Sequence, residues 1–129
     1  MNIKGIEHIA INTTDINVST AFYTDILGFR KKDTINNGDS IITYLSLPGG
    51  SRLELFDYAG KNKRVPKQES DAGLRHLAFE VDNVDAHEKE LRGKGVKIVL
   101  PATDLPHLGC RVLLFEAPDD VIIEFCQKI

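Results

Sequence analysis

Ile6-Glu7-His8-Ile9-Ala10-Ile11 is echoed later in the chain by Leu74-Arg75-His76-Leu77-Ala78-Phe79. The first copy alternates, with His8, Ala10 and Asn12 on one side and Ile9 and Ile11 on the other, which is the period of a half-buried strand. Each histidine is answered by a glutamate in a later strand-like run, Glu54 at a separation of 46 residues and Glu124 at 48. A His/Glu pair duplicated at equivalent places in a repeat points to one metal ion held between two copies of a module.

Working outward, the elements around each copy follow one order. Asp15 can cap a helix whose Ser19, Phe22, Tyr23, Ile26 and Leu27 share a face and which Gly28 closes. Strands are expected near 29–35, 40–47 and 51–58, with Asn37-Gly38 as a hairpin turn and Pro48-Gly49-Gly50 as a break. The second copy offers a strand at 74–81, a helix capped by Asp82 or Asn83 that contains Val84 and Leu91 and ends at Gly93 and Gly95, and strands near 96–100, 110–116 and 121–127. Ala117-Pro118-Asp119-Asp120 reads as the turn of a final hairpin. Each half is therefore β-α-β-β-β, and the expected organisation is a single domain over 1–129: module one 1–59, a charged linker 60–72 broken by Pro66, and module two 73–129.

The 129 residues suffice for one compact body without disulfide staples. A formal charge of −3 gives no overall field to draw the chain to nucleic acid or an anionic membrane, so a small-molecule substrate is the expected partner. No stretch is apolar enough for a signal peptide or a membrane span, and a cytoplasmic protein is expected. Cys110 and Cys126 lack the spacing of a zinc knuckle or redox pair and read as reduced, packed thiols.

Strand parity tests the candidate ligands. Glu54 shares a face with Arg52 and Phe56, opposite Leu53 and Leu55; Glu124 shares one with Ile122 and Cys126, opposite Ile123 and Phe125. A carboxylate in such apolar company must be exposed, salt-bridged or bound to a cation. Singly, each histidine reads as a hydrogen-bonded residue and each glutamate as solvent-facing; metal binding accounts for all four positions together.

These motifs, with Ser19-Thr20-Ala21-Phe22-Tyr23, Leu27-Gly28-Phe29, Gly73 to Asp82 and Pro118-Asp119 before Ile122-Ile123-Glu124, give the chain its resemblance to the vicinal oxygen chelate superfamily, which includes glyoxalase I, extradiol dioxygenases, methylmalonyl-CoA epimerase and the fosfomycin and bleomycin resistance proteins. The resemblance spans essentially the whole chain. It implies an α+β fold of two paired β-α-β-β-β modules, their strands forming a curled mixed sheet around a metal cleft, often completed in a homodimer. Within that superfamily, the dioxygenases and thiol-transferring enzymes look like two-His, one-carboxylate centres, and the epimerases usually place a glutamine at the second ligand position. Here that position is Glu54, and the set His8, Glu54, His76 and Glu124 is similar to that of glyoxalase I.

The resemblance thus implies a metal-dependent lyase or isomerase acting on a hemithioacetal, as in methylglyoxal detoxification, by proton transfer through an ene-diolate. Glu124 is the expected catalytic base, with Glu54 as its counterpart or a fixed ligand. Oxygen and imidazole donors suit one divalent ion, nickel or zinc first, with cobalt, manganese and iron also suited. The alternatives are an extradiol dioxygenase or thiol-transferase resistance enzyme, and a resistance protein that binds a small molecule without catalysis. Bacterial glutathione-dependent glyoxalases generally carry an arginine where this chain has Asn12, which leaves the thiol open.

Other residues attract weaker readings. Lys61, Lys63, Arg64 and Lys67 could clamp phosphates or carboxylates, although a solvated linker explains them as well. His87 is expected at the half-buried edge of its helix and His107 in a loop. Arg111 could meet an anion if it faced inward, and Phe56 and Cys126 could line a pocket.

Overall fold

The computed structural model describes every residue from Met1 to Ile129. The chain divides into two compact units, Met1–Val65 and Pro66–Ile129, and the division falls inside the charged linker. Each unit holds one four-stranded mixed sheet and one principal helix, an α+β arrangement.

In the first unit, β1 (His8–Thr13) lies parallel to β4 (Arg52–Asp57), and β3 (Ile41–Ser46) and β2 (Arg30–Asn36) follow antiparallel, giving the order β1-β4-β3-β2. Asp15 caps α1 (Ile16–Ala21) by accepting from the backbone N–H groups of Asn17 and Val18. The expected regular helix as far as Gly28 is not formed: after Ala21 the chain widens into a π-helical turn over Phe22–Ile26. Thr24 explains this, since its Oγ1 donates to the Thr20 carbonyl at 2.8 Å, the acceptor that an α-helical bond from its own N–H would use. Gly28 then leaves with φ of 76°, a conformation that costs glycine little.

The second unit repeats the topology as β5-β8-β7-β6, with β5 (Leu77–Glu80) parallel to β8 (Ile122–Lys128) and β7 (Cys110–Glu116) antiparallel to both β8 and β6 (Ile98–Leu105). Asn83 caps α2 (Val84–Gly93), and the first helical N–H, that of Val84, is satisfied by Gln127 Oε1 from β8 at 2.9 Å. Gly93 stays inside the helix; Gly95, at φ of 76°, ends it, with Val96 N–H reaching back to the Leu91 carbonyl.

Three strands differ from expectation, the first being β1, expected over 5–12 but beginning only at His8. β5 begins only at Leu77, which leaves His76 just before it. β6 runs on through Pro101 to Leu105 because the edge strand bulges there: its register on β7 shifts between Leu100 and Thr103, so the missing proline N–H costs no ladder bond. The N–H of Ala102 that the bulge frees donates to Glu88 Oε2 on α2.

Each sheet buries one face almost completely, and the second also buries Cys110, Val112 and Leu114 on its other face. Leu45, Leu53 and Leu55 in the first and Leu113, Phe115 and Ile123 in the second are all at most 1% exposed. The α2 side is confirmed by His87 of the helix, whose ring meets Phe125 edge-on at 5.2 Å. Strand alternation sends the neighbouring residues, Glu54 and Glu124 among them, to the opposite face.

Candidate metal centre

The parallel strand pairs set each candidate pair. In the first unit His8 stands opposite Arg52 and Ala10 opposite Glu54; in the second Ala78 stands opposite Glu124. The histidine precedes that alanine by two residues in both cases, so it lies on the glutamate's face, one diagonal step away. The outcome is the same contact twice: His8 Nε2 to Glu54 Oε2 at 3.2 Å, and His76 Nε2 to Glu124 Oε2 at 3.2 Å.

This spacing fits a shared cation. Two donors bound at about 2.1 Å to one ion are roughly 3.0 to 3.4 Å apart when they subtend about 90 to 110°. Each pair presents one imidazole nitrogen and one carboxylate, a donor set suited to a divalent metal. No group of three or more histidine, cysteine or acidic residues is arranged to hold an ion, so the predicted residues are brought together as pairs and not as a set of four.

The surroundings of the two pairs differ. Glu54 has a side chain only 8% exposed and Arg52 Nη2 at 3.7 Å from its Oε1; Arg52 also bonds Glu7 at 2.6 Å and lies over the Tyr44 ring. Glu124 is 17% exposed, and its ion-pair partner is His76. A further carboxylate faces the remote nitrogen of each histidine. Glu7 hydrogen-bonds His8 Nδ1, and Glu69 Oε1 lies 3.8 Å from His76 Nδ1. The hydrogen bond to His8, and then the charge of Arg52, hold the Glu7 carboxyl below its ordinary range.

Beside the second pair lies a cavity of about 360 Å³ whose lining includes Lys67, Glu69, Arg75, Lys97, Glu116 and Ile122. Its cations are already engaged: Lys97 with Glu116 at 3.0 Å, Arg75 with Glu69, and Lys67 with the Leu74 carbonyl. An anion clamp including Lys67 gains no support from that balance.

The remaining candidates are placed away from both His–Glu contacts or are engaged by other neighbours. Arg111 forms two hydrogen bonds with Asp85 and one with Asp104, which push its guanidinium further from deprotonation and leave it committed to them. Phe56 stacks on Tyr58 at 6.3 Å between centroids. Cys126 packs with Cys110, Val112 and Leu114, and burial pushes its thiol up. Both cysteines are free thiols, as expected. His107 lies on a 3-10 turn over Pro106–Leu108. Glu7 and Glu69 escaped the sequence reading: Glu7 is adjacent to the candidate His8 and could have been noticed, whereas nothing in the linker marks Glu69 out.

A model of the glyoxalase/bleomycin resistance protein/dioxygenase superfamily matches residues 5–125. The protein YaeR of Escherichia coli strain K12 is 37% identical over 99% of this chain and 99% of its own length. Mitochondrial methylmalonyl-CoA epimerase of Homo sapiens is 25% identical over 98% of this chain and 75% of its own. The crystal structure of a glyoxalase family protein from Enterococcus faecalis matches at a TM-score of 0.83 with 28% identity, covering 98% of this chain and 99% of that one.

Proposed function

Because the chain belongs to the glyoxalase/bleomycin resistance protein/dioxygenase superfamily, we propose that it is a metal-dependent lyase or isomerase of the glyoxalase I kind, acting on a hemithioacetal or a similar small chelating substrate. The observation that carries this reading is the repeated 3.2 Å contact between a histidine Nε2 and a glutamate Oε2, with a carboxylate and not an amide at position 54. His8, Glu54, His76 and Glu124 are the proposed ligands of one divalent ion, nickel or zinc, supplied by one chain or by two chains of a homodimer. When bound, the ion lowers the cost of negative charge developing on substrate oxygen.

The protein's own groups do the rest. Glu124 accepts the proton from one substrate carbon and returns it to the neighbouring one, which carries the substrate through an ene-diolate. It suits this role because its histidine alone holds it, leaving it freer to swing than Glu54. Glu54, buried and steadied by Arg52, acts as the fixed ligand. His8 and His76 supply neutral nitrogen donors that stay in place while the base moves.

Elemental analysis of the purified protein, followed by assay of the nickel- and zinc-loaded forms, tests the proposal. Methylglyoxal with a panel of small thiols is expected to be turned over, and a catechol and an epoxide are not. Ring opening of the catechol or thiol addition to the epoxide, without hemithioacetal turnover, would reassign the chemistry; a protein that takes up no divalent ion would end the proposal.

A further inference from the structure

Two buried polar atoms in the second unit lack hydrogen-bond partners and face each other. They are His76 Nδ1 and Glu69 Oε1, 3.8 Å apart. Orphaned polar atoms in an interior are costly, and these are complementary, an imidazole N–H and a carboxylate oxygen. A movement of about 1 Å would bring them to hydrogen-bond distance. Arg75 keeps Glu69 close, its Nη1 donating to the Glu69 carbonyl at 3.0 Å and its Nη2 lying 3.7 Å from Oε2.

The first unit reaches the same order of groups by another route. Glu7 bonds His8 Nδ1, and Arg52 holds Glu7 at 2.6 Å. Imidazole, carboxylate and guanidinium thus follow one another in both units, although the residues come from unrelated places. Glu7 is the residue before its histidine and Arg52 comes from β4; Glu69 comes from the linker and Arg75 is the residue before its histidine. The repeat cannot have produced this agreement by copying, because neither carboxylate occupies the other's place in the module. What the two units share is the atom addressed, Nδ1.

We propose that Glu7 and Glu69 are positioning residues that fix His8 and His76 with the proton on Nδ1, so that Nε2 presents its lone pair beside Glu54 and Glu124. A histidine has one lone pair to offer only when the other nitrogen carries the proton, and an acceptor at Nδ1 selects that form and stops the ring from rotating. The inference rests on the metal reading above. It adds that each ligand pair has its own support, one exposed and one enclosed.

The test compares wild type with Glu7→Leu, Glu69→Leu, Glu7→Gln and Glu69→Gln, using zinc affinity by competition with a chelator and proton NMR of the zinc-loaded full chain. The leucine variants should each weaken zinc by about 10- to 100-fold and each remove one downfield Nδ1–H resonance, that of its own histidine. The glutamine variants keep an acceptor oxygen and should restore both readouts to near wild type, which a merely structural role would not do. Unchanged zinc affinity and resonances in both leucine variants would overturn the positioning role while leaving the metal site intact. A wild type that does not bind zinc, nickel or cobalt would overturn the metal reading and this inference together.

Discussion

The faces of the two sheets that carry Glu54 and Glu124 hold the same His–Glu pair in different company. Around Glu54 the strands place Arg52, Tyr44 and Phe56; at the equivalent registers around Glu124 they place Ile122, Leu114 and Cys126. One face is cationic and aromatic, the other aliphatic and thiol-bearing, yet the His–Glu spacing is unchanged. Strand pairing brings each histidine to its glutamate, and the neighbours give the two glutamates different surroundings.

That contrast is broken most directly at the two glutamates. Glu124→Gln in metal-loaded protein is expected to reduce turnover by about 100- to 10,000-fold while keeping the fold. Glu54→Gln should instead lower metal occupancy, with turnover recovering as metal is added in excess. Equal kinetic losses, unrelieved by metal, would erase the division of labour.

The buried faces differ in the same way. Leu45 and Leu53 of the first sheet correspond in register to Phe115 and Ile123 of the second, where Phe115 meets Phe125 edge-on at 4.9 Å. Phe115→Ala should cost about 3–5 kcal/mol and Leu45→Ala about 2–5 kcal/mol. Urea denaturation followed by far-UV circular dichroism measures both; a larger loss at Leu45 would show that the aliphatic layer is the more tightly packed.

Smaller effects separate the helices. Asp15 accepts from two N–H groups of a short helix, whereas α2 has Gln127 as a second source of capping. Asp15→Ala is expected to cost about 1–2 kcal/mol and Asn83→Ala about 0.5–1 kcal/mol. The ranking is read from denaturation midpoints, and its reversal would count against Gln127 as a substitute cap.

The smallest contrast is in pH. Glu88 ties α2 to the β6 bulge, and the Ala102 N–H, then Arg92, hold its carboxyl below the ordinary value of 4.5. A depressed native pKa gives stability that is present in full above the unfolded value and lost as pH falls through the native one. Wild type should therefore exceed Glu88→Gln in urea midpoint at pH 6, and the gap should shrink below about pH 4.5. A gap independent of pH would assign the effect to packing.

Much of this was legible beforehand because it depends on local rules. Alternation in Ile6 to Ile11 gave the strand and its polar face, Asp15 and Asn83 announced helix starts, and the two glutamates interrupted apolar runs on the predicted side. Errors gathered where a side chain competes with the backbone: Thr24 taking the Thr20 carbonyl and widening a helix, and Pro101 accommodated by a bulge in an edge strand. Neither has a periodicity to detect.

The sequence by itself determined the elements, their duplication and the identity of the two His–Glu pairs, since a side-chain period of two and a repeat are properties of the chain. Only tertiary structure decided the parallel register that sets each imidazole 3.2 Å from its carboxylate. It also decided that Glu69, from the charged linker, lies 3.8 Å from His76 Nδ1. Contacts across sequence depend on strand pairing and on enclosure, and enclosure is what makes an unpaired polar atom seek a partner.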